Sequence, residues 1–73
     1  MNNSIENLNV AQNFPNPEIF NSFHRFGEYG PVYKVLTDTR LSDNSWTVKI
    51  HVLESEEELF YSVSKVLADP LAD

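Results

Sequence analysis

Two histidines, His24 and His51, are the side chains of this sequence best suited to proton transfer. A catalytic histidine needs a nucleophile or an orienting carboxylate within hydrogen-bond reach. His51 lies beside Lys49 in an alternating stretch, and His24 lies beside Arg25, so neither has such a partner at its side. We therefore expect both histidines to be solvated or structural, and we expect neither enzymatic activity nor a bound cofactor.

The densest charge in the chain is an acidic run of four residues, Glu54, Glu56, Glu57 and Glu58. The run does not match a calcium-binding loop, and the two histidines lack metal-ligand spacing, so we expect no metal site. One interpretation is a solvated hairpin tip that keeps the sheet edge from pairing with other sheets. The other is a contact surface for a basic protein, where charge of this kind raises the association rate.

The composition narrows the class of protein. The 73 residues suffice for one small domain, and eleven acidic against five basic residues give a net charge of −6. That balance argues against a nucleic-acid ligand or an anionic membrane surface, since both require clustered Lys and Arg. The absence of cysteine suits a reducing cytoplasm. There is no apolar run long enough to cross a membrane and no secretory signal at the N-terminus.

The stretch Trp46 to Leu53 determines our interpretation of the fold. Trp46, Val48, Ile50 and Val52 alternate with Thr47, Lys49 and His51, which is typical of a half-buried strand. Asn16-Pro17-Glu18 has the residues of a helix start, and Ile19, Phe20, Phe23 and Phe26 follow at helical spacing before Gly27. Residues 61–67 fit either a continued strand or a strand that breaks into a helical turn, and we favour the second.

The prediction is an α+β domain over residues 16–73, preceded by a disordered or loosely attached arm over residues 1–15. A helix over about residues 17–26 packs on a three-stranded antiparallel sheet. The strands span about residues 32–37, 46–53 and 58–63, and a short helix over about residues 62–68 follows. Lys34, Arg40 and Lys49 form a basic stripe if the first two strands pair with these side chains on one face.

Several segments together resemble a small bacterial family of short proteins of unknown function. They are Gly30-Pro31-Val32-Tyr33-Lys34-Val35-Leu36, Trp46, Lys49-Ile50-His51-Val52-Leu53-Glu54-Ser55, Glu57-Glu58 and the closing Tyr61, Ser64, Val66-Leu67 and Asp69-Pro70. Members of that family often carry Gly in the second hairpin turn, where this chain has Glu56. The resemblance implies a small accessory gene product, similar in type to antitoxins and inhibitors that neutralise a larger protein.

The function we predict is a small acidic protein-binding module, such as an antitoxin or inhibitor of a larger basic protein, in the cytoplasm. The aromatic residues among its predicted contacts are included because aromatic side chains often anchor protein interfaces. The predicted contact residues are Glu54, Glu56, Glu57, Glu58, Phe20, Phe23, Tyr33 and Tyr61. One alternative is a homo-oligomer in which a second copy completes the Phe20, Phe23 and Phe26 stripe. The other is a nucleic-acid-associated regulator that uses the basic stripe.

Overall fold

The computed structural model describes residues 13–72. These residues form a four-stranded antiparallel sheet whose strands lie side by side in chain order. A single short helix follows the last strand. The elements are a 3-10 turn at Pro17–Ile19, β1 at Phe23–Arg25, β2 at Val32–Ser42, β3 at Ser45–Val52, β4 at Glu58–Ser62 and α1 at Val63–Ala68.

The predicted helix over residues 17–26 is wrong. After the 3-10 turn, Asn21 has a φ of +65°, a left-handed conformation that a right-handed helix cannot contain. The chain then runs as β1, which pairs antiparallel with β2. The segment is rich in Phe, Asn, Ser and His, which are weak helix formers, and an isolated helix of this length has little stability of its own. Pairing with a neighbouring strand therefore prevails over the helical spacing of the phenylalanines.

The sheet consequently has four strands rather than the three predicted. β2 is also longer than expected, because it continues through a register shift between Val35 and Thr39 to Ser42. It turns at Asp43 and Asn44, both with positive φ, into β3. The short C-terminal helix is present as α1. The predicted arm lies mostly outside the described residues, but Phe14 is buried against Phe20 and Trp46.

The hydrophobic core lies on one side of the sheet, which we call the inner face. In β3 the side chains of Val48, Ile50 and Val52 are buried, while Thr47, Lys49 and His51 are only partly covered, so the predicted alternation is confirmed. The rest of the core comes from β2, α1 and the N-terminal segment, with Phe14, Ile19, Tyr33, Val35, Val63 and Val66 buried. All of these core residues pack against the inner face. The other side of the sheet, which we call the outer face, has no packed layer over it within residues 13–72.

The carboxylate of Asp69, directly after α1, joins three separate parts of the fold. It accepts hydrogen bonds from the hydroxyl of Tyr33 at 2.7 Å and the hydroxyl of Tyr61 at 3.2 Å. It also accepts one from the backbone N–H of Gly27 at 3.1 Å. We call Asp69 with these three donors the Asp69 cluster. Hydrogen bonds to a charged acceptor are stronger than neutral ones, so the cluster fixes β2, β4 and the β1–β2 turn to the C-terminal segment.

The turn that supplies the Gly27 donor depends on a close backbone approach. Phe26 donates from its N–H to the carbonyl of Pro31, which closes the turn between β1 and β2. A side-chain carbon placed on Gly30 would overlap the carbonyl oxygen of Phe26. Phe26 in turn packs on Tyr33 with ring centroids 4.5 Å apart. Glycine at position 30 therefore lets Phe26 reach the inner face beside the Asp69 cluster.

Residues 70–72 lie along the free edge of β1. The N–H of Arg25 donates to the carbonyl of Pro70 at 3.0 Å, and the N–H of Ala72 donates to the carbonyl of Phe23 at 2.8 Å. Leu71 forms an antiparallel bridge with His24. The three-residue strand β1 is thus paired on both sides, which accounts for its formation in a segment with helical spacing.

Removing the hydroxyl of Tyr33 tests the Asp69 cluster. Tyr33 is fully buried, whereas Tyr29 is 94% exposed, so the two tyrosines form a matched pair. We expect Tyr33→Phe to lower the free energy of unfolding by about 1–3 kcal/mol, because a charge-assisted hydrogen bond is lost and its acceptor stays partly buried. Urea denaturation provides the measurement. Tyr29→Phe should change the value by less than about 0.5 kcal/mol, and equal effects of the two substitutions would contradict this role.

The same cluster predicts a loss of stability in alkali. Burial, and then the hydrogen bond to Asp69, raise the pKa of Tyr33 well above its usual value, and burial also raises the pKa of Tyr61. A tyrosine in the unfolded chain loses its proton at about pH 10. Above that pH the unfolded chain binds fewer protons than the folded one. The full contribution to the free energy of unfolding is therefore present below about pH 10 and declines as the pH rises further.

For Tyr33 the decline should approach about 1.4 kcal/mol per pH unit. Urea unfolding at a series of pH values above neutrality measures it, and Tyr33→Phe should show a shallower decline than the wild type. Parallel curves for the two proteins would mean that Tyr33 does not contribute to the alkaline loss.

Candidate binding surface

The outer face carries a continuous row of side chains that crosses all four strands. The strand register pairs Phe23 with Lys34, Lys34 with His51, and His51 with Glu58. A second row lies two residues further back along β3 and pairs Lys49 with Phe60. A third row pairs Arg40 with Thr47 and Thr47 with Ser62. None of these side chains is fully buried, in contrast to those of the inner face.

Most of the positive charge of the chain is on this surface. Of the five Lys and Arg residues in the sequence, four lie on the outer face: Arg25, Lys34, Arg40 and Lys49. The fifth, Lys65, is in α1 on the other side of the sheet. The predicted basic stripe of Lys34, Arg40 and Lys49 therefore forms. The remaining surfaces carry most of the acidic residues, so the molecule is electrostatically two-sided although its net charge is −6.

Two phenylalanine rings lie among these cations. The guanidinium carbon of Arg40 is 4.0 Å from the ring centre of Phe60, and the ammonium of Lys49 is 5.8 Å from the same centre. The ammonium of Lys34 is 5.9 Å from the ring centre of Phe23, which is 38% exposed. Cation–π contacts at exposed sites contribute roughly 0.5–1 kcal/mol each. They also hold the guanidinium of Arg40 over the ring of Phe60, while the Arg40 side chain stays exposed to solvent.

Two carboxylates partly offset the cations. The ammonium of Lys49 lies 3.9 Å from carboxylate oxygens of both Asp38 and Glu58, and Nδ1 of His51 lies 3.1 Å from the second oxygen of Glu58. These groups are substantially exposed, and such pairs contribute little to stability. Arg25, Lys34 and Arg40 take part in no ion pair within residues 13–72. Glu58 thus belongs to the outer face and not to the hairpin tip at which the sequence placed it.

A cleft of about 560 Å³ lies at the end of the outer face where β1 meets the β3–β4 turn. Arg25 and Glu54 line it, together with Tyr29, Pro31 and Leu53, so the cleft holds one cation and one carboxylate. Tyr29 is the most exposed large apolar side chain of the described residues, at 94%. The cleft therefore adds a third aromatic ring beside a cation. The sequence did not indicate Arg25, Tyr29 or Phe60 as residues of this surface. For Phe60 a signal existed: Lys49 points outward in β3, and Phe60 is its partner in the register of β3 and β4.

The turn between β3 and β4 is the acidic tip, which we define as Glu54, Glu56 and Glu57. All three are exposed, and within the described chain none is in an ion pair. Glu56 has a φ of +61°, in the left-handed region that favours glycine, while its N–H donates to the carbonyl of Val52 at 2.7 Å. A residue with a Cβ in this conformation costs about 1–2 kcal/mol. The glycine that the family resemblance places here would suit the turn better.

His24 is a structural histidine, although it lies in a strand and not on the polar side of a helix as predicted. It is buried, its Nε2 is 2.9 Å from Oγ of Ser22, and its ring stacks on Tyr33. The Ser22 hydroxyl donates to the carbonyl of Ile19 at 2.5 Å, which leaves its oxygen to accept from His24. In a catalytic pair the serine donates to the histidine, so this geometry does not activate Ser22.

The predicted aromatic contact residues separate into two groups. Phe20 packs against the core, Tyr33 is fully buried, and the hydroxyl of Tyr61 is bonded to Asp69. Phe23 alone of the four is on the outer face. The phenylalanine stripe proposed for contact with a second copy does not form, because Phe26 faces Tyr33 while Phe23 points to the opposite side of the sheet.

Residues 13–72 contain no cluster of three His, Asp or Glu side chains placed to hold a metal ion. Within the same residues, no helix is long and apolar enough to span a membrane.

Comparison with known proteins identifies the family of the chain. No curated protein matches the sequence. A family model described as "Family of unknown function (DUF5397)" matches residues 11–73, which include all four strands, α1 and the Asp69 cluster. The chain is a member of this family of unknown function.

Proposed function

We propose that this protein is a non-catalytic binding module whose working surface is the outer face, and that its ligand there is negatively charged. The segregation of charge supports the proposal: in a chain of net charge −6, four of five Lys and Arg residues share one sheet face that no element of residues 13–72 covers. Charges arranged in this way orient an incoming anionic ligand, because the acidic remainder of the surface repels it. As part of the same proposal we place the protein in the bacterial cytoplasm, since it lacks cysteine and its motifs resemble bacterial ones.

Salt-dependent retention on immobilised heparin, a polyanion, tests this surface. A protein of this net charge should pass through such a column unless its cations are grouped, so retention at low salt is the expected result for the wild type. Replacing Lys34 and Lys49 together with Gln should lower the salt concentration at elution or abolish retention.

The matched control is Lys65→Gln, which removes one positive charge from the other side of the sheet and should leave elution nearly unchanged. Since Lys49 contacts Phe60, circular dichroism should show that the double variant is folded, and Arg25→Gln provides a second outer-face variant without a ring contact. Flow-through of the wild type at low salt would refute the proposal, as would equal effects of Lys65→Gln and the outer-face substitutions.

A second candidate function is the one predicted from the sequence: inhibition or neutralisation of a larger basic protein through the acidic tip. The strained backbone of Glu56 favours it, because strain of this kind is concentrated at functional sites. A non-glycine residue at φ +61° lowers the stability of the turn but keeps an exposed carboxylate there. The acidic tip remains part of this hypothesis, whereas the predicted aromatic anchors Tyr33 and Tyr61 belong to the core.

Substituting the tip residues with glycine separates strain from charge. Glu56→Gly should raise the free energy of unfolding by about 1 kcal/mol, because glycine adopts positive φ freely. Glu54→Gly removes the same charge where φ is not positive, and should lower the stability by up to about 1 kcal/mol. Urea denaturation measures both values, and a loss of stability in Glu56→Gly would contradict the strain.

If the tip recognises a basic partner, both substitutions should weaken binding of a fluorescent lysine-rich peptide at low salt. Glu18→Gln, an exposed carboxylate in the N-terminal 3-10 turn, is the charge-matched control. Equal weakening by Glu18→Gln would show a response to net charge and refute the tip as a specific surface.

A further inference from the structure

We infer that the ligand of the outer face is single-stranded nucleic acid. This inference rests on the proposed function and names the chemistry of its ligand. The outer face combines three features that together fit such a ligand: cations, aromatic rings placed between them, and a sheet face that no element of residues 13–72 covers.

The first feature is the alternation of positive charge and aromatic surface. Lys34 accompanies Phe23, Arg40 and Lys49 accompany Phe60, and Arg25 accompanies Tyr29 in the cleft. A nucleic-acid strand alternates anionic phosphates with flat bases, and proteins bind it with basic grooves that contain stacking side chains. An acidic polypeptide would use the cations but would leave the rings without a matching partner.

The second feature is the stack of Arg40 on Phe60. The guanidinium lies 4.0 Å from the ring centre, a distance typical of parallel contact, and Arg40 is exposed. Arginine planes, like aromatic rings, provide surfaces on which unpaired bases stack. Because the ring of Phe60 restricts the rotamers of Arg40, little conformational entropy remains to be lost when a base binds.

The third feature is the shape of the surface. The Phe23, Lys34, His51 and Glu58 row crosses the full width of the sheet, and no element of residues 13–72 rises over it. A duplex hides its bases inside the helix, whereas a single strand can lay them against an accessible sheet, as on other sheet surfaces that bind RNA. A second copy of this chain placed face to face would oppose like charges, which argues against self-association through this surface.

The acidic remainder of the molecule is consistent with this ligand. Lys65 is the only Lys or Arg off the outer face, and of the Asp and Glu residues in the described chain only Asp38 and Glu58 pair with its cations, so most of the remaining described surface repels a polyanion. Repulsion from the other surfaces confines binding to one orientation and makes it strongly dependent on salt. The net charge of −6 is therefore compatible with weak, oriented binding of a short strand.

Fluorescence anisotropy with labelled oligothymidine and oligouridine of about 12 nucleotides tests the inference at low salt. Four cations predict a slope of about −3 in log K against log salt. Phe23→Leu removes a stacking ring without changing the charge and should weaken binding about tenfold. Leu67→Ala, an exposed apolar substitution in α1, and Lys65→Gln should leave the affinity nearly unchanged.

The same oligonucleotide in duplex form and a labelled glutamate-rich peptide complete the experiment. We expect the single strand to bind at least about tenfold more tightly than either. Equal binding of the duplex, or no effect of Phe23→Leu, would overturn single-strand recognition. Binding of the acidic peptide alone, reduced by replacing Lys34 and Lys49, would overturn this inference and leave the proposed function standing. Binding of none of these anions would refute both.

Discussion

A partly buried carboxylate at Asp69 is the constraint on which the described fold depends. A charged group removed from water requires hydrogen-bond donors, and Tyr33, Tyr61 and Gly27 provide them from two strands and a turn. The two tyrosine rings also pack on Phe26, so the same side chains contribute apolar contacts and polar bonds. In a chain this short, where little surface is buried on folding, one well-satisfied polar contact between distant segments replaces part of a larger core.

This arrangement gives a structural role to part of the sequence pattern on which the family resemblance rests. Gly30, Tyr33, Tyr61 and Asp69 belong to the Asp69 cluster or to the turn that supplies it, and Pro70 bonds to β1. These residues build the inner side of the sheet. This part of the pattern therefore describes how the domain folds. Lys34, Lys49 and Glu58 belong to the same pattern but lie on the outer face, the surface that we propose for binding.

The sequence predicts the part of the fold in which local pattern and tertiary structure agree. The alternation around Val48 and Ile50 is strong because one side is buried and the other wet, and the strand forms as expected. Residues 23–25 were misassigned because their phenylalanines also fit a helical repeat, and only pairing with β2 and residues 70–72 decides between the two. Because of that error the sequence does not indicate the proposed binding surface, since Phe23 and Arg25 reach the outer face only when the segment is a strand. The net charge does not indicate this surface either, because it is a sum over the whole chain and does not say on which side of the sheet each charged residue lies.

The bonding of residues 70–72 to β1 makes the C-terminal segment and one side of the outer face a single cooperative unit. When the bond from Arg25 to Pro70 and the bond from Ala72 to Phe23 open, β1 retains only its pairing with β2. Short strands held in this way fray before the rest of a sheet. The amide hydrogens of Arg25 and Ala72 should accordingly exchange with solvent together.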